Sequence, residues 1–331
     1  MKNKRELSFD ILRVISMIMV IIIHVANVYC RDYGIINNNS YLISLVFNTI
    51  SRISVPLFFM ISGALLLNQS FDKEKYKKRL FKYIIIILFW NIFYLIWEYF
   101  YLNIKYDNLY MLIIQPFRAH LWFLYTIIVL YLLQPILKII LEKISKRNRI
   151  TLLILWFIIS SLGLINTYIA NYFSIFTYIG YFILGKYLYD FSLNNNLKKY
   201  SIFLSFIMII CYTLSIILNY VVSINTNSFF NLFFAYKTPF IILSSIAFYI
   251  IIISKYKNKT KQNIIINYLS KISLGVYLIH GVFLDITIKI FNYSSIKPII
   301  GIPIFTTFIF MLSSISVILL RKLKFFNNIL L

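Results

Sequence analysis

An arginine and a histidine stand eleven positions apart inside the first apolar stretch of the chain, FDILRVISMIMVIIIHVANVY. At about 100° per residue, eleven positions turn a helix through three full turns plus about 20°, so Arg13 and His24 face the same way, ~16 Å apart along the axis. A neutral imidazole can take up a proton near neutral pH. The pair indicates a proton acceptor in line with a cation, at a separation similar to the length of a coenzyme A pantetheine arm.

Each member of this pair also has a purely structural explanation. Asp10 lies three residues before Arg13, a spacing at which the two charges pair, and a snorkelling arginine at a helix start needs no ligand. A lone histidine on an apolar face is often a structural residue. Ionisable groups inside a membrane cost about 2.5 to 3.5 kcal/mol each on insertion scales, which favours a functional role for the two together.

The other two histidines stand in informative places. His280 follows SLGVYLI and is expected at a depth comparable to that of His24, with Tyr277 one turn below it on the same face. These two side chains suit the positioning of a carbonyl or a hydroxyl group. His120, in RAHLWFLY, is expected at the outer surface, where an interfacial role and contact with a substrate explain it equally well.

A second buried cation interrupts the stretch SRISVPLFFMISGALLL. Arg52 lies near the middle of this span, which predicts that it faces a water-filled or anionic cavity. Pro56 is expected to break or kink the helix there. Ser62 and Gly63 are small enough to favour close helix packing.

Two further cations, Arg79 and Lys82, lie one turn apart in the basic segment KEKYKKRLFKYI. As a pair they could hold a ligand rich in phosphate. They are explained equally by the excess of positive charge that cytoplasmic loops of membrane proteins carry.

The elements that position these residues are long apolar runs in a chain of 331 residues that is 61% hydrophobic and 13% charged. Such runs exceed the roughly 20 residues that cross a bilayer, so the sequence predicts an all-α, polytopic integral membrane protein forming one domain, residues 1–331, with no appended soluble domain. About ten transmembrane helices are expected, at 9–29, 41–67, 83–103, 121–141, 150–166, 172–189, 200–222, 238–254, 267–290 and 299–320.

The net charge of +23 reflects membrane topology and not nucleic-acid binding. Alternate loops and the two ends hold 23 of the 33 Lys and Arg residues, whereas the intervening loops hold six. The positive-inside rule then predicts a multi-pass protein of the plasma membrane with both termini in the cytoplasm.

Several classes of function are poorly supported by the sequence. The spans hold almost no carboxylates away from their ends, which argues against transport coupled to protons or sodium. No pattern indicates a metal, a P-loop or a reactive serine or cysteine. An enzyme of the membrane and a transporter or flippase for a small polar molecule or a lipid-linked sugar both remain compatible with a buried Arg and His.

The chain resembles the acyltransferase-3 family of ten-span membrane acyltransferases over nearly its whole length. The resemblance is carried by FDILRVISMIMVIIIHV, VPLFFMISGALLL, the step RLFK, HLWFLYTIIVLYLLQPIL, GYFILGKYL and ISLGVYLIH. Many relatives carry an acidic residue where Pro56 stands, and some carry an extracytoplasmic esterase-like domain that these 331 residues lack.

The resemblance implies transfer of an acyl group, usually acetyl, from cytoplasmic acyl-CoA to a hydroxyl of an extracytoplasmic or lipid-linked glycan. It implies catalytic roles for Arg13 and His24 and a donor site at Arg13, Arg79 and Lys82, where lysine replaces the second arginine of the family's Arg-x-x-Arg step and loses its bidentate fork. No permanently bound cofactor or metal is expected. Arg52, Tyr277, His280 and His120 are the predicted substrate contacts.

Overall fold

The computed structural model describes residues 6–104, 116–164, 174–257, 259, 263–324 and 326–327. Within these residues the chain is helical and has no β-strand. The α-helices are α1 (Leu7–Arg31), α2 (Asn38–Ser51), α3 (Ser54–Leu67), α4 (Lys73–Tyr101), α5 (Trp122–Lys143), α6 (Lys146–Ser161), α7 (Ser174–Asn194), α8 (Ser201–Thr226), α9 (Pro239–Tyr256), α10 (Ile264–Ile290) and α11 (Pro298–Leu320).

The ten predicted spans correspond to these helices, with α2 and α3 forming one span. Among the described residues, nine spans are long and apolar enough to cross a membrane. The tenth, α7, is less apolar because Lys186 and Asp190 lie in its C-terminal half. The predicted spans 150–166 and 172–189 each extend into 165–173, outside the described residues. The protein is an all-α, polytopic membrane protein.

The segment before the third span is helical, which corrects the expectation of a loop there. Helix α4 begins at Lys73, and the Asp72 side chain caps it by accepting hydrogen bonds from the backbone N–H groups of Glu74 and Lys75, both at 3.1 Å. These hydrogen bonds, above all the one from Lys75, lower the pKa of the Asp72 carboxyl. Lys, Glu and Arg are good helix formers, so the helix extends three turns beyond the apolar run and fixes Arg79 on its surface.

The second span breaks at Arg52 and Ile53, between α2 and α3. Pro56 has no N–H to donate to the carbonyl of Arg52, four residues earlier, so the regular hydrogen-bond ladder fails at that residue. The predicted break is confirmed, and its consequence is that Arg52 sits at a helix junction and not on a continuous helix.

Helix α1 lies at the centre of the bundle and contacts α2, α3, α9, α10 and α11. Helices α3 and α7 make the most extensive contact, and there a Cβ on Gly63 would meet the backbone oxygen of Phe182 at 1.7 Å. The predicted close packing at Gly63 is therefore confirmed. In contrast, the spans built on α4, α6 and α8 are mostly exposed. Only 22%, 17% and 17% of the residues in their apolar segments are buried, as expected of helices that face lipid.

Candidate active site

The three histidines of the chain lie together in the interior of the bundle. The ring centroid of His24, on α1, is 5.1 Å from that of His280, on α10, and 6.1 Å from that of His120. His120 and His280 are 4.9 Å apart. His120 and His280 are buried, whereas His24 is partly accessible. The histidines thus form one cluster, and His120 lies within it and not in an exposed interfacial position.

A glycine makes this approach possible. His120 lies in a short 3-10 turn, Ala119–Leu121, that precedes α5, and this turn must fit against α10. A Cβ on Gly281 would lie 2.9 Å from Cε1 of His120 and 2.9 Å from the hydroxyl of Tyr94. A side chain at position 281 would therefore require His120 and Tyr94 to shift.

Hydrogen bonds orient the imidazole of His280 and hold the turn that bears His120. Nδ1 of His280 lies 2.5 Å from the carbonyl oxygen of Tyr277. A carbonyl oxygen only accepts, so this bond assigns the proton of a neutral ring to Nδ1 and leaves the Nε2 lone pair open. Nε2 of His280 and of His120 have no hydrogen-bond partner among the described residues. The hydroxyl of Tyr277 donates to the backbone carbonyl of His120, so this tyrosine holds the turn that bears His120.

A largely buried charge network supports the same turn. Arg118, two residues before His120, forms ion pairs with Glu98 at 3.1 Å and with Asp285. The indole N–H of Trp97 donates to the same Asp285 carboxylate at 3.0 Å. Sequence reasoning did not assign a role to Arg118. Its position beside His120 was the available signal, but the partners lie on α4 and α10 and are not visible in the sequence pattern.

Arg13 lines a small cavity on the opposite side of the cluster. This cavity, of about 140 Å³, reaches from Arg13 to Tyr277, whose ring centroid is 5.8 Å from that of His280. Arg13 lies 3.6 Å from Asp10, which also accepts a hydrogen bond from Ser270 at 2.7 Å. The predicted Asp10–Arg13 pair is confirmed, and it directs the guanidinium beside a cavity that approaches the histidines.

A larger polar cavity of about 510 Å³ lies at the basic end of α4 and includes Lys75, Arg79 and Gln134 in its lining. Arg79 donates to the Gln134 side chain at 3.2 Å and lies 5.6 Å from the ring centroid of Tyr131.

A tyrosine pair lies between Arg79 of this cavity and the cavity of Arg13. The hydroxyl of Tyr131 bonds that of Tyr83 at 3.3 Å, and both tyrosines line the Arg13 cavity. Arg79 and Arg13 therefore flank the same tyrosine pair. Lys82 is half-buried and is not among the residues that line either cavity.

Arg52 lines a third cavity, of about 330 Å³, on the side of the cluster where the α8–α9 connection lies. Its Nε donates to the Asn48 side chain at 2.8 Å, and its guanidinium carbon lies 4.4 Å from the ring centroid of Phe234. The prediction that Arg52 faces a cavity is confirmed.

The arrangement places a cluster of three imidazoles beside Tyr277, which lines the Arg13 cavity. In the described part of the chain, no group of three or more His, Cys, Asp or Glu side chains has the arrangement of a metal site. The chemistry that these residues can supply themselves is proton transfer by imidazole and binding of anions by arginine.

A comparison with known protein families matches residues 6–321 to acyltransferase-3, described as an acyltransferase domain. The matched range includes every residue of the histidine cluster and of the three cavities, and it confirms the resemblance seen in the sequence. No curated protein and no solved structure matches the chain. The chain therefore belongs to the acyltransferase-3 family and is a membrane acyltransferase.

Proposed function

We propose that the protein transfers an acyl group, in particular acetyl, from cytoplasmic acyl-CoA to a hydroxyl of an extracytoplasmic or lipid-linked carbohydrate. The observation that carries this proposal is a cluster of three histidines with cavities near it: Tyr277 beside His280 lines the Arg13 cavity, and Trp122, two residues after His120, packs on Tyr178 and Tyr236 of the Arg52 cavity. The donor is assigned to the cavities of Arg79 and Arg13, and the acceptor to the cavity of Arg52. A donor and an acceptor that approach from opposite faces of a membrane require separate cavities.

The inner cavities suit an acyl-CoA donor. The polar cavity contains Lys75 and Arg79, and Arg13 follows beyond the tyrosine pair, so cations line the route that the phosphates would take. Arg13 lies eleven residues from His24, ~16 Å along a helix, and this separation allows a pantetheine arm to bring its thioester to the cluster. The donor is a substrate, and the proposal requires no resident cofactor.

His24 is the proposed general base. It is the only member of the cluster that is partly accessible, and its imidazole is placed to remove the proton of the acceptor hydroxyl. The hydroxyl oxygen then attacks the thioester carbonyl carbon. When the resulting intermediate collapses, the C–S bond breaks and the leaving thiolate takes the proton from His24, which yields an ester and free CoA.

The remaining cluster residues have supporting roles in this proposal. His120 and His280 present Nε2 atoms that a substrate oxygen can approach. Tyr277 contributes its ring to the Arg13 cavity, while its hydroxyl is engaged with His120. Arg52 contacts the acceptor.

We propose further that residues 1–331 function as a single transmembrane domain in the plasma membrane with both termini in the cytoplasm. This orientation rests on the uneven distribution of Lys and Arg between successive loops. It places the polar cavity of Arg79 in contact with cytoplasmic acyl-CoA.

Release of free CoA tests the proposal against transport. Purified protein in lipid nanodiscs is incubated with acetyl-CoA and a glycan fraction from the producing cells, and the free thiol is measured. An acyltransferase releases CoA and adds the mass of an acetyl group to the glycan. A transporter or flippase leaves the thioester intact.

Substitution of the inner cations tests the donor site. We expect Arg13→Gln and Arg79→Gln each to weaken binding of coenzyme A about tenfold, or about 1.4 kcal/mol, with the larger dependence on salt for Arg79 at the polar cavity. Calorimetric titration of the purified variants measures both effects.

Lys82→Gln is the matched control, because Lys82 lies on the same helix as Arg79 but lines neither cavity. A smaller loss of coenzyme A affinity is expected for Lys82→Gln than for the arginine variants, and Lys82→Arg is expected to be tolerated. Unchanged affinity in both arginine variants would leave Arg13 and Arg79 as determinants of topology alone.

Loss of the Arg118 charge network is expected to impair catalysis indirectly. Arg118→Gln leaves the buried Glu98 and Asp285 carboxylates without their cation, so the turn that carries His120 shifts. We expect kcat to fall about tenfold, or about 1.4 kcal/mol in the barrier, with little change in the KM for acyl-CoA. Arg118→Lys, which retains the charge, should recover part of the loss. Equal kcat for wild type and Arg118→Gln would show that the network does not position His120.

A further inference from the structure

The cavity that contains Arg52 is positively charged, and none of the described residues that line it is acidic. Arg52 lies at the junction of α2 and α3, and Lys237 lies in the connection between α8 and α9. Among the described residues neither cation has a carboxylate in an ion pair. Arg118 in the same half of the protein is neutralised by two carboxylates. The cavity therefore presents two charges that the protein itself does not compensate.

Arg52 is held so that its terminal nitrogens remain open. Its Nε is engaged with Asn48 at 2.8 Å, and the guanidinium lies over the ring of Phe234 at 4.4 Å. In the described part of the chain, its two terminal amino groups have no hydrogen-bond acceptor. A guanidinium oriented by its Nε and one face presents the donor pair that fits a carboxylate or a phosphate.

Aromatic rings form the walls beside these cations. Tyr178 and Tyr236 line the cavity, and Trp122 packs behind them at 5.1 Å and 5.8 Å between ring centroids. Tyr236 also lies 5.7 Å from the Arg52 guanidinium. The faces of aromatic rings are electron-rich and attract the C–H groups of a sugar ring as well as cations. The volume of about 330 Å³ falls in the range of about 300 to 1,000 Å³ typical of small-molecule sites.

We propose that this cavity binds an anionic sugar residue of the acceptor, a pyranose that carries a carboxylate or a phosphate. The oxyanion lies between Arg52 and Lys237, and the sugar ring packs on the faces of Tyr178 and Tyr236. This inference rests on the proposed function, in which the acceptor approaches His24 from the side of the Arg52 cavity. The hydroxyl to be acylated extends from the sugar toward that histidine.

Binding of three matched sugars tests this assignment without any catalytic step. Purified protein in nanodiscs of uncharged lipid is titrated by calorimetry with glucuronate, glucose 6-phosphate and glucose, which share a pyranose ring and differ at carbon 6. At least one of the two charged sugars is expected to bind at least tenfold more tightly than glucose. Whichever of the two charged sugars binds more tightly shows whether the anion is a carboxylate or a phosphate. Equal affinity for all three, or no detectable binding of either charged sugar, would overturn the proposal.

Variants locate the charge discrimination. Arg52→Gln and Lys237→Gln should each remove most of the preference for the charged sugar, and Arg52→Lys should retain part of it. Lys297→Gln is the matched control, because Lys297 is exposed at the start of α11 and does not line the cavity. If Arg52→Gln does not fold, the affinities of Lys237→Gln for the three sugars still test whether this cavity binds the anion. If the single variants Lys237→Gln and Arg52→Lys both keep the full preference for the charged sugar, this cavity is excluded as the anion site.

The outcomes separate this inference from the proposed function. If acetyl-CoA is consumed and glucose binds as tightly as the charged sugars, the acyltransferase reaction stands and the anionic acceptor is wrong. If the charged sugars bind selectively but no glycan fraction causes release of CoA, the cavity assignment stands and the proposed reaction is wrong.

Discussion

His24→Gln is expected to reduce acyl transfer by about 10² to 10⁴-fold, the range that general acid–base catalysis contributes. Glutamine preserves a polar side chain of similar reach but cannot take up the proton of the acceptor hydroxyl. The variant should fold and bind coenzyme A as wild type does, because the donor contacts at Arg13 and Arg79 lie in separate cavities. Single-turnover transfer and coenzyme A titration on the same preparation measure both properties.

These two readouts distinguish a catalytic defect from a structural one. Loss of transfer with unchanged coenzyme A binding and an unchanged elution profile in size-exclusion chromatography assigns His24 to the chemical step. Loss of both would indicate misfolding, in which case His24→Asn provides a second neutral replacement. Wild-type turnover by His24→Gln would exclude His24 as the base.

His280→Ala is expected to cost less, about tenfold to a hundredfold in the transfer rate. Loss of a hydrogen-bond partner from a buried polar site is typically worth roughly 1 to 3 kcal/mol. His280 is buried and oriented by the carbonyl of Tyr277, whereas His24 is partly accessible. This difference favours a positioning role for His280 and proton transfer by His24.

His280 must be compared with His24 because it could also accept a proton. Its Nδ1 is engaged with the carbonyl of Tyr277, which leaves the lone pair of its Nε2 open. Single-turnover acyl transfer by His24→Ala and His280→Ala, measured side by side, decides between the two imidazoles. An inactive His280→Ala together with an active His24→Ala would move the base from α1 to α10.

The sequence by itself determined the elements of this protein and the orientation of side chains within one helix. Long apolar runs predicted the ten spans, because a chain in lipid must satisfy its backbone hydrogen bonds within each segment. The three-residue spacing predicted the Asp10–Arg13 contact, and Pro56 predicted the break beside Arg52. These features depend on residues only a few positions apart, so local rules suffice.

Other features needed contacts between distant segments. No sequence pattern indicated that the turn of His120 would fold inward against α10, or that Arg118 would pair with Glu98 and Asp285. Nor did spacing reveal that Arg79 and Arg13 flank one tyrosine pair while Lys82 does not line their cavities.

Packing between helices decided these points, and it depends on where small residues allow close approach. Gly63 admits the backbone of α7, and Gly281 admits His120. In a bilayer, association of helices depends on such fits and on buried polar contacts, because lipid chains are as apolar as the helix surfaces themselves. The apolar pattern that defines each span therefore does not specify its neighbours, and the cluster of three histidines appears only when the helices are assembled.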